Sequence, residues 1–177
     1  MNQKFIKLVI SFLLVGSYFF LPKYGFTAFD GSVSADSVIG NFLYPLSHAN
    51  IWHLSANILC LWMLCCPMHL LATYLIAVLC SFLPSFSLYD ILYSYFSCTP
   101  VAFSPLSEPT YGFSGILFAM VGISWGKIHR FREMLRRNKW YLIIPAFLPH
   151  VNFLIHIYCL LAGYLYGMLC AKKSKLS

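Results

Sequence analysis

The sequence predicts an all-α polytopic membrane protein, and its composition is the first reason. Of the 177 residues, 60% are hydrophobic and 10% are charged, whereas an average soluble domain has about 45–50% apolar and about 25% charged residues. Acidic residues number only 5, so the chain lacks the polar side chains that cover a soluble protein. The second reason is that the apolar residues form long runs, as membrane-spanning helices require.

Six of these runs are candidates for spanning helices, since a span needs about 20 apolar residues, or somewhat fewer where the bilayer thins. No repeat, low-complexity tract or linker separates them, which predicts a single membrane domain over residues 1–177. The runs cover approximately residues 5–21, 43–64, 70–88, 111–126, 140–150 and 153–171.

The first and fifth runs need separate arguments. The first follows two lysines, as a signal peptide would, but cleavage after Ala28 would put the bulky Phe26 where a small residue is needed. We therefore expect a retained first helix. The fifth run would be only about 16 Å long as a helix, and it contains Pro145 and Pro149. Proline interrupts helical hydrogen bonding, so we expect this helix to be truncated or strongly tilted.

The positive charges predict the orientation, because Lys and Arg near span ends stay on the cytoplasmic side. With six spans and the N-terminus inside, every Lys and Arg except Lys23 lies on the inner side. The cluster at 127–139 is then a topology signal and lipid headgroup anchor rather than a nucleic-acid site. The sequence thus predicts a multi-pass protein with both termini cytoplasmic and no nucleic-acid partner. The charge asymmetry is typical of a bacterial inner (plasma) membrane.

The fourth run begins with an unusual group of small and polar residues. Gly112 and Gly115 lie on either side of Phe113 and Ser114. Glycines let a substrate approach the backbone closely, and the free amides at a helix N-terminus can stabilise an oxyanion. Small residues at 115, 119 and 122 share one helical face. Such a face predicts close packing of another helix.

The sixth run carries the matching face. His156, Cys159, Gly163 and Gly167 form one stripe along the predicted helix. If the two small faces pack together, His156 comes level with Ser114 near the outer surface. A neutral imidazole can take the proton of a hydroxyl as it attacks a carbonyl, so the pair has the chemistry of a nucleophile and its general base.

The second run contributes two hydrogen-bond donors. His53 and Asn57 are four residues apart and share a face, from which both can stabilise an oxyanion. On one continuous helix His48 would lie about 140° from His53. That arrangement is poor for chelating a metal ion, and we predict no metal site. His48 is expected to hold the first loop or a water network.

Three motifs together resemble the rhomboid intramembrane serine proteases. They are HxxxxHLxxN at 48–57, GxSGxxxAxxG at 112–122, and a histidine followed seven residues later by glycine at 156–163. Their order and helix assignment also agree with the family. The resemblance implies a six-transmembrane-helix rhomboid-like bundle that needs no cofactor.

The same resemblance assigns roles to the residues in these motifs. Ser114 would be the nucleophile and His156 the general base, in a dyad without an acid. His53, Asn57 and the Ser114 backbone amide would form the oxyanion hole. Phe118 matches the aromatic position that stacks on the base histidine. In the family a glycine often lies three residues after that histidine, and this chain has a cysteine at the matching position.

The implied function is that of an intramembrane serine endopeptidase. It would cleave transmembrane segments of single-span membrane proteins near their outer ends, within the lipid bilayer. The alternative is a catalytically silent rhomboid-like protein that binds membrane helices in the same cavity. The presence of both Ser114 and His156 favours the enzyme.

The charge asymmetry generates a test of the topology. An alkaline phosphatase fusion at the C-terminus should be silent, because the enzyme folds only outside the cytoplasm, and a fusion within 89–110 should be active. The opposite pattern would contradict the six-span arrangement.

Overall fold

The computed structural model describes residues 2–25, 35–64, 69–98, 100, 110–128, 131–146 and 151–173. This part of the chain contains eight α-helices, and a 3-10 turn over Tyr44–Leu46. The all-α prediction is confirmed. The helices are α1 (Gln3–Phe20), α2 (Ala35–Leu43), α3 (Ile51–Leu64), α4 (Leu70–Ser81), α5 (Leu88–Ser97), α6 (Ser114–Ile128), α7 (Phe131–Ala146) and α8 (Phe153–Lys173).

The outer surface of the bundle is apolar, as a lipid environment requires. Phe12 on α1, Trp52 on α3 and Leu169 on α8 are 70%, 81% and 68% exposed, an arrangement that water would not tolerate over so large an area. Of the described helices, α1 and α8 are long and apolar enough to cross a bilayer. The apolar helices α3, α4 and α6 are shorter, with 14, 12 and 15 residues. The predicted count of six spans stays a prediction.

The centre of the bundle is the contact between α6 and α8, whose small faces pack together as predicted. A Cβ atom added to Gly122 of α6 would lie 2.2 Å from the carbonyl oxygen of Leu160. In return, a Cβ atom on Gly163 of α8 would lie 2.4 Å from the carbonyl oxygen of Ala119. One turn further along, Gly126 and Gly167 repeat this contact. The two backbones therefore touch directly, which only glycine permits.

The second apolar run is not one helix, contrary to the prediction. Pro45 lies in the 3-10 turn, and α3 begins only at Ile51. The Asn50 side chain accepts a hydrogen bond from the backbone N–H of His53 at 2.9 Å, which caps the new helix. His48 therefore precedes α3, and the predicted angle of 140° between His48 and His53 is wrong.

The segments 22–42 and 89–110, which lie between predicted runs, contain helices that the hydrophobic runs did not reveal. The loop at 22–42 includes most of α2, and the loop at 89–110 includes nearly all of α5.

The helix of the third run, α4, ends earlier than predicted, at Ser81, shortly before Pro84. Ser87 and Asp90 form a reciprocal capping box that starts α5, with their side-chain oxygens 2.6 Å apart.

The fifth run is also placed differently. Helix α7 begins at Phe131, so the basic residues 132–139 lie on the same helix as the start of the predicted run. Lys127, at the start of the predicted cluster, lies in the last turn of α6. Residues 129–130, within the cluster, and 147–150, at the end of the predicted run, lie outside the described part of the chain. The described part of the predicted run, residues 140–146, lies in the second half of α7.

The glycine contacts generate a stability prediction. Gly122→Ala should lower the free energy of unfolding by about 1–3 kcal/mol, because the added methyl group meets backbone atoms that cannot rotate away. Denaturation in detergent micelles measures this change. Gly16→Ala on α1 is the matched control, since nothing lies within 4 Å of its added Cβ. Equal stability of the two variants would contradict direct backbone packing.

Candidate active site

Ser114 and His156 meet at the end of the bundle where α6 and α8 begin. Ser114 is the first residue of α6, and His156 lies in the first turn of α8. The Nε2 atom of His156 is 2.8 Å from the Oγ atom of Ser114, within hydrogen-bonding distance. His156 is 7% exposed, and the contact is partly buried.

The ring of Phe118 packs flat against His156. The two ring centroids are 4.4 Å apart, and the planes differ by 7°. Phe118 lies one turn after Ser114 on α6, so one helix presents both the hydroxyl group and the surface on which the imidazole rests. Stacking restricts rotation of the imidazole, which keeps Nε2 directed at Ser114.

Gly112 has a conformation and surroundings that require glycine. Its φ angle is +114°, a region that L side chains rarely adopt. A Cβ atom there would lie 2.6 Å from Cε1 of His53 and 3.2 Å from Nδ2 of Asn57. The backbone N–H of Gly112 donates to the carbonyl oxygen of Tyr44 at 2.9 Å. The segment before Ser114 is thereby held against the two polar side chains of α3.

Asn57 and His53 lie on α3, facing this segment. Asn57 is buried, and its Nδ2 atom finds no hydrogen-bond partner among the residues that the structure describes. An unpaired buried donor is costly and suggests a group held ready for a ligand. His48 is also buried, and its ring contacts the His53 ring edge-on, with centroids 5.4 Å apart. His48 therefore packs against His53.

Gly115 follows Ser114 and lies where α6 meets the 3-10 turn and α8. A Cβ atom there would lie 2.7 Å from the hydroxyl oxygen of Tyr44 and 3.5 Å from Sγ of Cys159. The structure thus brings together Ser114, His156 and Phe118 from α6 and α8. Gly112, two residues before Ser114, lies against His53 and Asn57 of α3. Over the described ranges, no group of three or more His, Cys, Asp or Glu side chains could hold a metal ion.

Two residues near the site make contacts that the sequence analysis did not predict. Tyr44 binds Gly112 through its backbone and donates its hydroxyl hydrogen to the carbonyl of Ala77 at 3.1 Å. No sequence pattern marks this tyrosine, because it lies in an apolar run. Asn152 precedes the first residue of α8, and an asparagine directly before an apolar run is a helix-start signal that could have identified it.

Comparison with known protein families finds a match over most of the chain. The family model for the Rhomboid domain matches residues 35–173. The chain belongs to the rhomboid family. Sequence search finds no matching curated protein. The rhomboid match runs from α2 to the end of α8, so it covers every helix that carries a candidate site residue, and α1 precedes it.

Membership in the rhomboid family has consequences for the whole chain. Rhomboid proteins are integral membrane proteins, most of them are intramembrane serine proteases, and they act on membrane-protein substrates within the bilayer. The protein is therefore a polytopic helical membrane protein. The apolar exterior of the bundle has the same explanation.

Proposed function

We propose that this rhomboid protein is an intramembrane serine endopeptidase that cleaves transmembrane segments with Ser114 and His156. The observation that carries the proposal is the 2.8 Å contact between Ser114 Oγ and Nε2 of the buried His156. Serine hydroxyls are weak nucleophiles unless a base removes their proton. A histidine at this distance is in reach to do so.

The reaction would proceed through an acyl-enzyme. With the neutral imidazole protonated at Nδ1, Nε2 accepts the Ser114 proton while Oγ attacks the carbonyl carbon of the scissile peptide bond. His156 then gives this proton to the leaving amine as the C–N bond breaks. Water, activated by the same imidazole, hydrolyses the ester and regenerates Ser114. This chemistry needs neither a metal ion nor a cofactor.

The negative charge of the tetrahedral intermediate needs hydrogen-bond donors that are already in place. The unpaired Nδ2 atom of Asn57 supports such a role, and the His53 ring lies beside the same glycine, Gly112. The N–H group of Ser114 is a further donor, because the first amides of a helix have no partner within it. These donors would face the oxyanion in a site of low dielectric constant.

The substrates we propose are single-span membrane proteins cut near the outer ends of their helices. A helix hides its carbonyls in hydrogen bonds, so the substrate must unwind locally before Ser114 can attack. Small or helix-breaking residues near the cut would ease this step. With both termini in the cytoplasm, as the positive charges favour, α6 and α8 begin at the outer side of the membrane.

A catalytically silent protein that binds membrane helices is the second candidate. It would use the same cavity and the same lipid-facing surface. The directed contact between Ser114 and His156 favours the enzyme, since binding of a helix requires no such pair.

The first prediction from this proposal concerns Ser114 and His156. Ser114→Ala should abolish cleavage of a reporter membrane helix and labelling by a fluorophosphonate probe, because it removes only the hydroxyl. His156→Ala should also abolish cleavage, and the double variant should be no worse, since the two residues act as a unit. Mass spectrometry of the labelled protein should locate the probe on Ser114.

Ser124→Ala is the matched control for this experiment. Ser124 lies on the same helix and donates to the carbonyl of Met120, away from the site. It should cleave and label like the wild type. If folded Ser114→Ala cut the reporter at the wild-type rate, Ser114 would not be the nucleophile. If the wild-type protein neither cut the reporter nor reacted with the probe, the helix-binding function would replace the protease.

A second prediction concerns the oxyanion donors. Asn57→Leu should slow cleavage by about 10- to 1000-fold, and His53→Ala should act in the same range. The Asn57→Leu protein should nevertheless be as stable as the wild type or more so, because the change removes an unpaired buried donor. Cleavage rates and melting temperatures, measured on the same preparations, check both parts. Unchanged cleavage rates in both variants would exclude Asn57 and His53 from the mechanism.

A further inference from the structure

The orientation of His156 is not fixed through its second ring nitrogen. Nδ1 is buried and has no hydrogen-bond partner in the ranges that the structure describes. The ring is held by its stacking on Phe118 and by the position of the first turn of α8. Whatever fixes that turn therefore fixes the distance between Nε2 and Ser114 Oγ.

The glycine contacts that lock α8 to α6 stop short of this turn. The outermost glycine of α8 is Gly163, against the carbonyl of Ala119. It lies seven residues from His156, about 10 Å along the helix. One turn outward from Gly163 is Cys159, whose sulfur lies 3.5 Å from the Cβ position of Gly115. At that level a side chain separates the two helices, so direct backbone contact does not determine the position of the outer turn.

Asn152 supplies the missing attachment. It is buried, and its Nδ2 atom donates to Ser85 Oγ at 2.9 Å and to Thr110 Oγ1 at 3.1 Å. Its Oδ1 atom accepts from the backbone N–H of Ile155 at 3.4 Å, as a helix cap does. Ile155 is the residue directly before His156.

The three partners of Asn152 belong to different segments. Ser85 lies between α4 and α5, Thr110 lies two residues before Gly112, and Ile155 lies in the first turn of α8. The Tyr158 hydroxyl donates a further hydrogen bond to the carbonyl of Pro84 at 2.9 Å, which also joins α8 to the α4–α5 connection. One buried amide thus links the start of α8 to the segment that leads into Ser114.

We propose that Asn152 is a positioning residue, whose hydrogen bonds to Ser85 and Thr110 hold the outer turn of α8 where His156 meets Ser114. The proposal rests on the proposed protease function. Without these bonds the turn keeps its helical cap, the stacking of His156 on Phe118 and the Tyr158 hydrogen bond, but it loses its link to the segment that leads into Ser114 and can shift or tilt. A displacement of about 1 Å costs about 100-fold in rate in a well-oriented site, so partial misplacement should cost about 10- to 100-fold.

Asn152→Ser separates positioning from capping. Serine is also a good helix cap, but its short side chain cannot reach Ser85 and Thr110. The rate of fluorophosphonate labelling and kcat should both fall by about 10- to 100-fold, with KM changed by less than about twofold. Ser85→Ala removes one bond and should lower both rates by about 3- to 10-fold. The double variant should be no worse than Asn152→Ser, because both changes break the same link.

Thr73→Ala is the control for a general loss of stability. Thr73 is fully buried and donates to the carbonyl of Leu70 within α4, away from the site. It should lower the melting temperature and keep the wild-type labelling rate. If Asn152→Ser fails to fold, the labelling rate of Ser85→Ala, compared with that of Thr73→Ala, tests the positioning role instead.

The outcomes separate this inference from the proposed function. A wild-type protein that the probe does not label at Ser114 would refute the protease itself. A labelled wild type with an equally reactive Asn152→Ser would refute only the positioning role. The positioning role would also be wrong if the losses in Asn152→Ser and Ser85→Ala were additive, or if Thr73→Ala lost as much reactivity.

Discussion

The backbone contact between α6 and α8 is the constraint on which the rest of the structure depends. Gly122 and Gly163 leave no space for a side chain, so each helix rests on carbonyl oxygens of the other. In a bilayer, where lipid tails are as apolar as side chains, such close packing replaces the hydrophobic effect as the force that joins helices. The contact sets the relative depth of the two helices, whereas the turn that carries His156 lies beyond it.

The site combines rigid parts with groups that lack partners. The buried amide of Asn57 and the Nδ1 atom of His156 make no hydrogen bond among the described residues. Both are costly in the resting state, and a functional site is where such a cost is commonly retained. In triads with a carboxylate, the acid orients the histidine directly. In the proposed dyad of Ser114 and His156, Phe118 and the first turn of α8 would provide that orientation, so the geometry would depend on contacts outside the pair.

The sequence was most informative where its pattern repeats and least informative where one residue interrupts it. The glycine stripes and the motif around Ser114 predicted the packed pair of helices, because spacing on a helix determines which residues face each other. Hydropathy could not show that the second run is divided, since Pro45 and the cap at Asn50 act locally within an apolar stretch. Helix α5 was missed for a similar reason, because its capping box, Ser87 and Asp90, lies at the predicted boundary between the third run and the following loop. The bonds of Asn152 are long-range and leave no periodic signal.

The short helices have a consequence for the lipid around the protein. Helices α3, α4 and α6 have 14, 12 and 15 residues, about 18–23 Å, against a hydrocarbon core of about 30 Å. Acyl chains beside them must compress or bend, at an elastic cost of a fraction of a kcal/mol per Å of mismatch. If a neighbouring helix enters this thinned part of the bilayer, the end of that helix lies outside the hydrocarbon core, among the headgroups. Water there can solvate backbone carbonyls that would have to stay hydrogen-bonded within the hydrocarbon core.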